Sequence, residues 1–176
     1  PSMTYAQAIA AALLKLMRDD PRVLILGAGV TDPKGIFGTC LPAREAYPGR
    51  VIETPLSENM LTGALVGLAN GGWKPVYVHA RAEFALLGWE HLVNTIAKWP
   101  WLHGGETLPI IIRCLVGRGW GQGPTHSQSF HRMLADVPGL RVLYPVDPMT
   151  VGSWFKFAEA QQQTVIFEPR RLYEYQ

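Results

Sequence analysis

The sequence predicts an α/β fold, a doubly wound and mainly parallel sheet with helices on both faces. Residues 23–26, 74–79 and 109–114 are short, nearly uninterrupted apolar runs, the pattern of strands covered on both sides. Between such runs, apolar residues recur at helical spacing, as in Ala6, Ile9, Ala10, Leu13, Leu14 and Met17. Glycine-rich connections, 27–38 and 117–124, follow two of the runs, as loops at strand ends do.

Taken in order, Thr4 with Gln7 three residues on forms a capping box for the first helix, and Asp20-Pro21 ends it. The strand over 23–26 and the glycine-rich loop follow, then a short helix over 41–46. Val51 to Glu53 read as a short buried strand, stopped by Thr54 and Pro55. Ser57 is a good N-cap for the apolar run 60–69, and Gly71-Gly72 closes that helix. After the strand over 74–79, a helix is predicted from Glu83 to Trp99, with Phe84, Leu87, Trp89, Leu92, Val93 and Ile96 on one face and Pro100 at its end. The strand over 109–114 leads into the second glycine-rich loop and a short helix near Thr125 to Phe130. Strands over 141–144 and 164–167 flank a last helix from Pro148 to Ala160. With no repeat, low-complexity tract or linker, 3–176 reads as one domain, and Pro1-Ser2 before Met3 as a vector remnant.

At 176 residues and a net charge of +2, the basic side chains are scattered singly, which argues against nucleic acid. Cys40 and Cys114 lack metal-ligand spacing and suit a reducing compartment. No run is long enough for a membrane span, so a soluble, cytoplasmic protein is expected. Six Trp in so small a domain hint at surfaces that a partner covers.

Parallel α/β sheets bind ligands at the carboxyl ends of their strands. Residues 54–58, 79–84 and 117–126 should meet there. None carries a phosphate-cradling glycine motif or a nucleophile elbow, and the five histidines show no zinc spacing. Glu58 stands at a strand-to-helix junction. There a carboxylate has an ordinary use, since negative charge is favoured in a first helical turn.

The markers Thr4-Tyr-Ala-Gln-Ala-Ile9, Gly35-Ile-Phe-Gly38, Arg50-Val-Ile-Glu-Thr-Pro-Leu-Ser-Glu58, Asn94-Thr-Ile-Ala-Lys98, Thr125-His-Ser-Gln-Ser129 and Pro138-Gly-Leu-Arg-Val142 stand in one order along the chain. In these the chain resembles the pyrimidine-binding domain of thiamine-diphosphate enzymes, nearest the beta subunit of 2-oxoacid dehydrogenases, with transketolase as the wider relative. The resemblance implies roles. Glu58 matches the glutamate that meets the pyrimidine ring nitrogen. By sharing a proton there it acidifies the amino group, which can then take the proton of the thiazolium carbon. Phe84 matches the aromatic that stacks on the pyrimidine, and Leu56 an apolar residue touching the cofactor. His126 matches the histidine that faces the substrate and donates to a developing oxyanion or to phosphate.

Departures accompany these matches. Ala28 stands where relatives often have a carboxylate, and Ala80 and Leu87 where they place Met and Gln. Gln161 lies where some hold an Asp near a structural potassium ion. No Gly-Asp-Gly…Asn segment is present, so magnesium and the diphosphate are expected on a partner chain. The resemblance thus implies one subunit of a split enzyme, a dimer or heterotetramer acting on a small 2-oxo acid or ketose. The other class to weigh is a non-catalytic interaction subunit that kept the fold and lost turnover.

Overall fold

The computed structural model describes residues 3–119, 121–159 and 162–176. Pro1-Ser2, Gln161 and the expected end of the last helix at Ala160 lie outside the described residues. Strands β1 (Val23–Gly27), β2 (Val51–Glu53), β3 (Lys74–His79), β4 (Ile111–Val116), β5 (Arg141–Leu143) and β6 (Thr164–Pro169) form one sheet in the order β2-β1-β3-β4-β6-β5. Every pairing among them is parallel. The chain winds outward in opposite directions from β1 and β3, which opens a crevice at their carboxyl ends.

Alternation along the strands makes two cores. Val23, Ile25, Val76 and Val78 face α1 (Tyr5–Asp19), α2 (Leu41–Ala46) and α6 (Pro148–Glu159), meeting Ile9, Leu13 and Phe155. Leu24, Leu26, Tyr77 and Ile112 face α3 (Glu58–Asn70) and the segment after β3, meeting Leu65, Leu92 and Ile96. The first helix starts as its sequence requires: Thr4 accepts from the Gln7 N–H while Gln7 accepts from the Thr4 N–H.

Five local readings change. β2 is an edge strand in which only Val51 is buried, while Ile52 and Glu53 face outward. β4 starts at Ile111 rather than Pro109, because proline has no N–H for the ladder. Ser57 occupies the N-cap position of α3, yet its side chain caps nothing. The single helix expected from Glu83 to Trp99 is instead a 3-10 segment (Ala82–Gly88), a π segment (His91–Ile96) and α4 (Trp99–Leu102). Pro100 lies in the first turn of α4 rather than ending a helix, a place where its missing N–H costs nothing. Gly88 bears on the break. A Cβ there would come within 2.3 Å of the Thr62 hydroxyl on α3. The short helix expected after Thr125 is a 3-10 turn, Pro124–His126, followed by α5 (His131–Ala135).

One polar cluster lies inside the fold. Arg113 of β4 and Glu168 of β6 are both fully buried and pair through two hydrogen bonds of 2.6 and 2.8 Å. Tyr173 donates its hydroxyl to Glu168, and Arg113 also donates to the Thr39 hydroxyl and Cys40 Sγ. The carboxylate beside it holds the guanidinium charged despite its burial.

Candidate functional site

The crevice is assembled from the loops after β1, β2, β3 and β4. Beyond β1, the turn at Gly29 to Thr31 is tied to the end of β2. The Gly29 N–H (2.5 Å), the Thr31 N–H (3.0 Å) and the Thr31 hydroxyl (2.8 Å) all donate to the Glu53 carboxylate. Partial burial disfavours that charge, but the three donors outweigh it and hold the carboxyl below its ordinary range. Glu53 therefore shapes this loop next to Ala28, where relatives were expected to bring a further carboxylate.

Glu58 is the first residue of α3 and is half-buried. Its carboxylate makes no hydrogen bond or ion pair among the described residues, while its backbone carbonyl accepts from the Thr62 hydroxyl at 2.6 Å. Burial, and then the Glu58 charge, raise the Tyr77 phenol above its ordinary range. The next residue, Asn59, donates from Nδ2 to the Leu87 carbonyl at 3.1 Å. That bond and the Thr62–Gly88 contact lock the start of α3 onto the 3-10 segment that carries Phe84.

Phe84 and His126 face each other, ring centroids 5.6 Å apart and nearly perpendicular. Two features bring the His126 loop to that place. A Cβ at Gly117 would sit 2.3 Å from the His126 carbonyl, so only glycine admits the approach. Glu83, next to Phe84, accepts from the Gln128 N–H at 2.6 Å. Together Ala80, Arg81, Phe84, Gly121, Gln122 and His126 line an open cleft of about 550 Å³.

Phe84 and His126 thus share one cleft, and Glu58 is fixed to the element bearing Phe84. Leu56 is different: it is 80% exposed and does not line the cleft. With Met60 (52% exposed) and Leu87 (58% exposed), it contributes apolar surface near Glu58 in the chain and on the adjoining segment. Such surface is what an apolar partner would cover. Sequence reasoning missed Arg81, Gln122 and Glu83. Each is a single polar residue in a loop, with no spacing to single it out.

The polar atoms here are incompletely satisfied. Thr54 Oγ1, His79 Nε2, Glu83 Oε2 and His126 Nδ1 are buried without a hydrogen-bond partner among the described residues. All four follow or end β2, β3 and β4. His79 stacks edge-on against Tyr77 at 4.4 Å, and burial pulls its pKa down to about 3, leaving it neutral. Buried polar atoms ordinarily have partners, so a group of orphans marks a place built for something else.

The residues fit an aminopyrimidine. Glu58 is an unpaired acceptor at a helix start, Phe84 lines the cleft, and the Asn59–Leu87 hydrogen bond ties the start of α3 to the segment bearing Phe84. Among the described residues no group of three or more His, Cys, Asp or Glu could hold a metal ion. No described helix is long and apolar enough to cross a membrane.

Comparison with known proteins gives a consistent picture. The family model for the transketolase pyrimidine binding domain matches residues 1–176. The pyruvate dehydrogenase E1 component subunit beta-1, mitochondrial, of Arabidopsis thaliana is 33% identical over 172 residues, covering 97% of this chain and 47% of that protein. The 2-oxoisovalerate dehydrogenase subunit beta of Bacillus subtilis is 30% identical over 174 residues, covering 97% and 53%. Among solved structures, a split gene transketolase described as an inactive beta4 tetramer superposes with a TM-score of 0.74 at 21% identity, over 97% of this chain and 52% of that one. The chain spans about half the length of these relatives. With its parallel sheet and a family match along its whole length, the chain belongs to the transketolase pyrimidine-binding domain family.

Proposed function

We propose that this chain is the pyrimidine-binding part of a thiamine-diphosphate-dependent enzyme and activates the cofactor through Glu58. The observation that carries this reading is the unpaired Glu58 carboxylate at the start of α3, held in one frame with Phe84. When bound, thiamine diphosphate supplies an electron sink for cleaving a bond next to a carbonyl. Glu58 would hold a shared proton at the pyrimidine ring nitrogen, Phe84 would lie against that ring, and Leu56 would cover its edge. His126 would face the substrate, and its buried Nδ1 has no hydrogen-bond partner among the described residues. The diphosphate and magnesium would be held by a partner chain, and the exposed Leu56, Met60 and Leu87 are surface for that partner to cover. A 2-oxo acid or a ketose is the donor class, giving decarboxylation or ketol transfer.

A second reading has an observation of its own. The loop beyond β1 carries Ala28, and its donors at Gly29 and Thr31 are all spent on Glu53. A non-catalytic interaction subunit would need no more than that. Glu58→Gln in the assembled enzyme decides between them. Gln can meet the ring nitrogen but cannot share a proton with it. Exchange of the thiazolium proton for deuterium, followed by NMR, should slow by about 10²–10⁴-fold if Glu58 activates the cofactor. Equal exchange in mutant and parent would remove Glu58 from the chemistry.

A further inference from the structure

The cleft beside Phe84 carries a cation that neither the family match nor the reading above assigns. Arg81 follows β3 by two residues and lines the cleft with Gln122 and His126. Its guanidinium is aimed by its neighbours: Nε donates to Gln122 Oε1, and Nη1 to the carbonyl of Ala80. A fork whose orientation is set in advance loses less freedom when it binds a planar anion.

The surroundings favour negative charge in the same place. Arg170 lies over the Phe37 ring at 4.7 Å, and Arg81 approaches the same ring at 5.9 Å, so two guanidinium groups converge there. Phe37 has a left-handed backbone conformation, φ 55°, following Ile36 at φ 48°. Two consecutive non-glycine residues in that region are strained, a state that persists only where surrounding structure enforces it. Arg118 and Arg171 line a second hollow at the ends of β4 and β6. Of the nearby carboxylates, Glu168 is neutralised by Arg113, and Glu83 spends one oxygen on the Gln128 N–H. Burial also pulls the Arg81 pKa downward, with Glu83 opposing and Arg170 reinforcing, so an arriving anion relieves two like charges held close.

We infer that Arg81, oriented by Gln122, is a specificity-determining residue that binds the oxyanion group of the substrate within the cleft that Phe84 and His126 flank. The inference rests on the reading that this cleft takes a donor substrate. A carboxylate of a 2-oxo acid and the phosphate of a sugar phosphate share the required chemistry, because a fixed guanidinium meets either through two parallel hydrogen bonds.

Direct binding to this 176-residue chain tests it without cofactor or turnover. The His126 ring resonances would be followed by NMR while pyruvate, ribose 5-phosphate or uncharged dihydroxyacetone is added. The charged probes should move the His126 signals saturably, and dihydroxyacetone should not. R81Q should weaken the preferred probe by about 10–100-fold, the loss of a charge-assisted pair. R81K should recover part of that loss, and R118Q should leave the affinity within about twofold, since Arg118 lines a different hollow. Preference for pyruvate assigns a carboxylate donor, and preference for ribose 5-phosphate assigns a phosphorylated one. Equal affinity in R81Q and the parent, with unchanged thermal melting, overturns the inference. So does binding of dihydroxyacetone as tight as that of the anions. Unchanged thiazolium exchange in the Glu58→Gln experiment would leave this result untouched, so the two readings fail separately.

Discussion

Two buried glutamates in this molecule have opposite surroundings. Glu168, inside the sheet, accepts from Arg113 through both oxygens and from Tyr173 as well, and is fully buried. Glu83, at the carboxyl end of the sheet, uses one oxygen for the Gln128 N–H and leaves the other buried without a partner. The first belongs to a closed polar cluster whose lone pairs are matched. The second stands in a row with Thr54, His79 and His126, each short of a partner. Gln163 Nε2, just before β6, is also unmatched, but it stands alone, whereas four such atoms gather at the carboxyl ends of β2, β3 and β4. The contrast separates what holds the sheet together from what awaits a ligand.

The largest effect should come from breaking the closed cluster. Glu168→Ala leaves Arg113 charged and unpaired in the core, and should cost about 3–5 kcal/mol in chemical denaturation. The double change Arg113→Met, Glu168→Leu should regain most of it, because removing both charges also removes their desolvation penalty. A single mutant costing under about 1 kcal/mol would mean water already reaches the pair, and the contrast with Glu83 would collapse.

Much of this architecture was legible along the chain. The apolar runs fixed β1, β3 and β6, the Thr4–Gln7 box marked the start of α1, and Glu58 fell on the first turn of α3. What escaped depends on distant partners. The 3-10 and π breaks between Ala82 and Ile96 lie where Gly88 presses on Thr62, a contact across 26 positions that periodicity does not register. Arg113 read as one polar residue in a strand because its mate Glu168 is 55 positions away. At the site, residue matching singled out Glu58, Phe84, His126 and Leu56 as candidates, and the geometry brings Phe84 against His126 and ties Asn59, at the start of α3, to the segment that carries Phe84. Leu56 sits outside that cleft, and Arg81, a lone cation, had no pattern to reveal it.

His79 gives the next effect, and it appears as pH dependence. Burial holds its folded pKa at about 3, while an unfolded histidine titrates near about 6.5. Above the unfolded value neither state binds the proton, and the native stability is complete. As pH falls below it, the unfolded chain takes up a proton the folded chain refuses, so stability declines until the folded pKa is reached. This one group contributes a slope of up to about 1.4 kcal/mol per pH unit. Denaturation from pH 7 to 4 should therefore be less steep in His79→Leu than in the parent, by roughly that slope. Identical slopes would mean that His79 already finds a proton or a partner at the strand end, and it would leave the row of unmatched atoms.

The smallest effect should belong to Glu83, which makes it the sharpest test of the comparison. Glu83→Gln keeps an oxygen to accept from the Gln128 N–H, so the tie between the Phe84 segment and the His126 loop survives. What changes is the second oxygen, which has no donor to lose. Removing its charge relieves desolvation but gives up attraction to Arg81, whose guanidinium feels that carboxylate. These terms oppose each other, and the net change should stay within about 1 kcal/mol, the scale of one ordinary hydrogen bond. The same substitution at Glu168 should cost far more, since there it discards the acceptor for a buried guanidinium. Denaturation of the two variants side by side reads the difference directly. If Glu83→Gln unfolds the protein as readily as the Glu168 change, Glu83 is part of the framework. Its unmatched oxygen would then say nothing about a ligand.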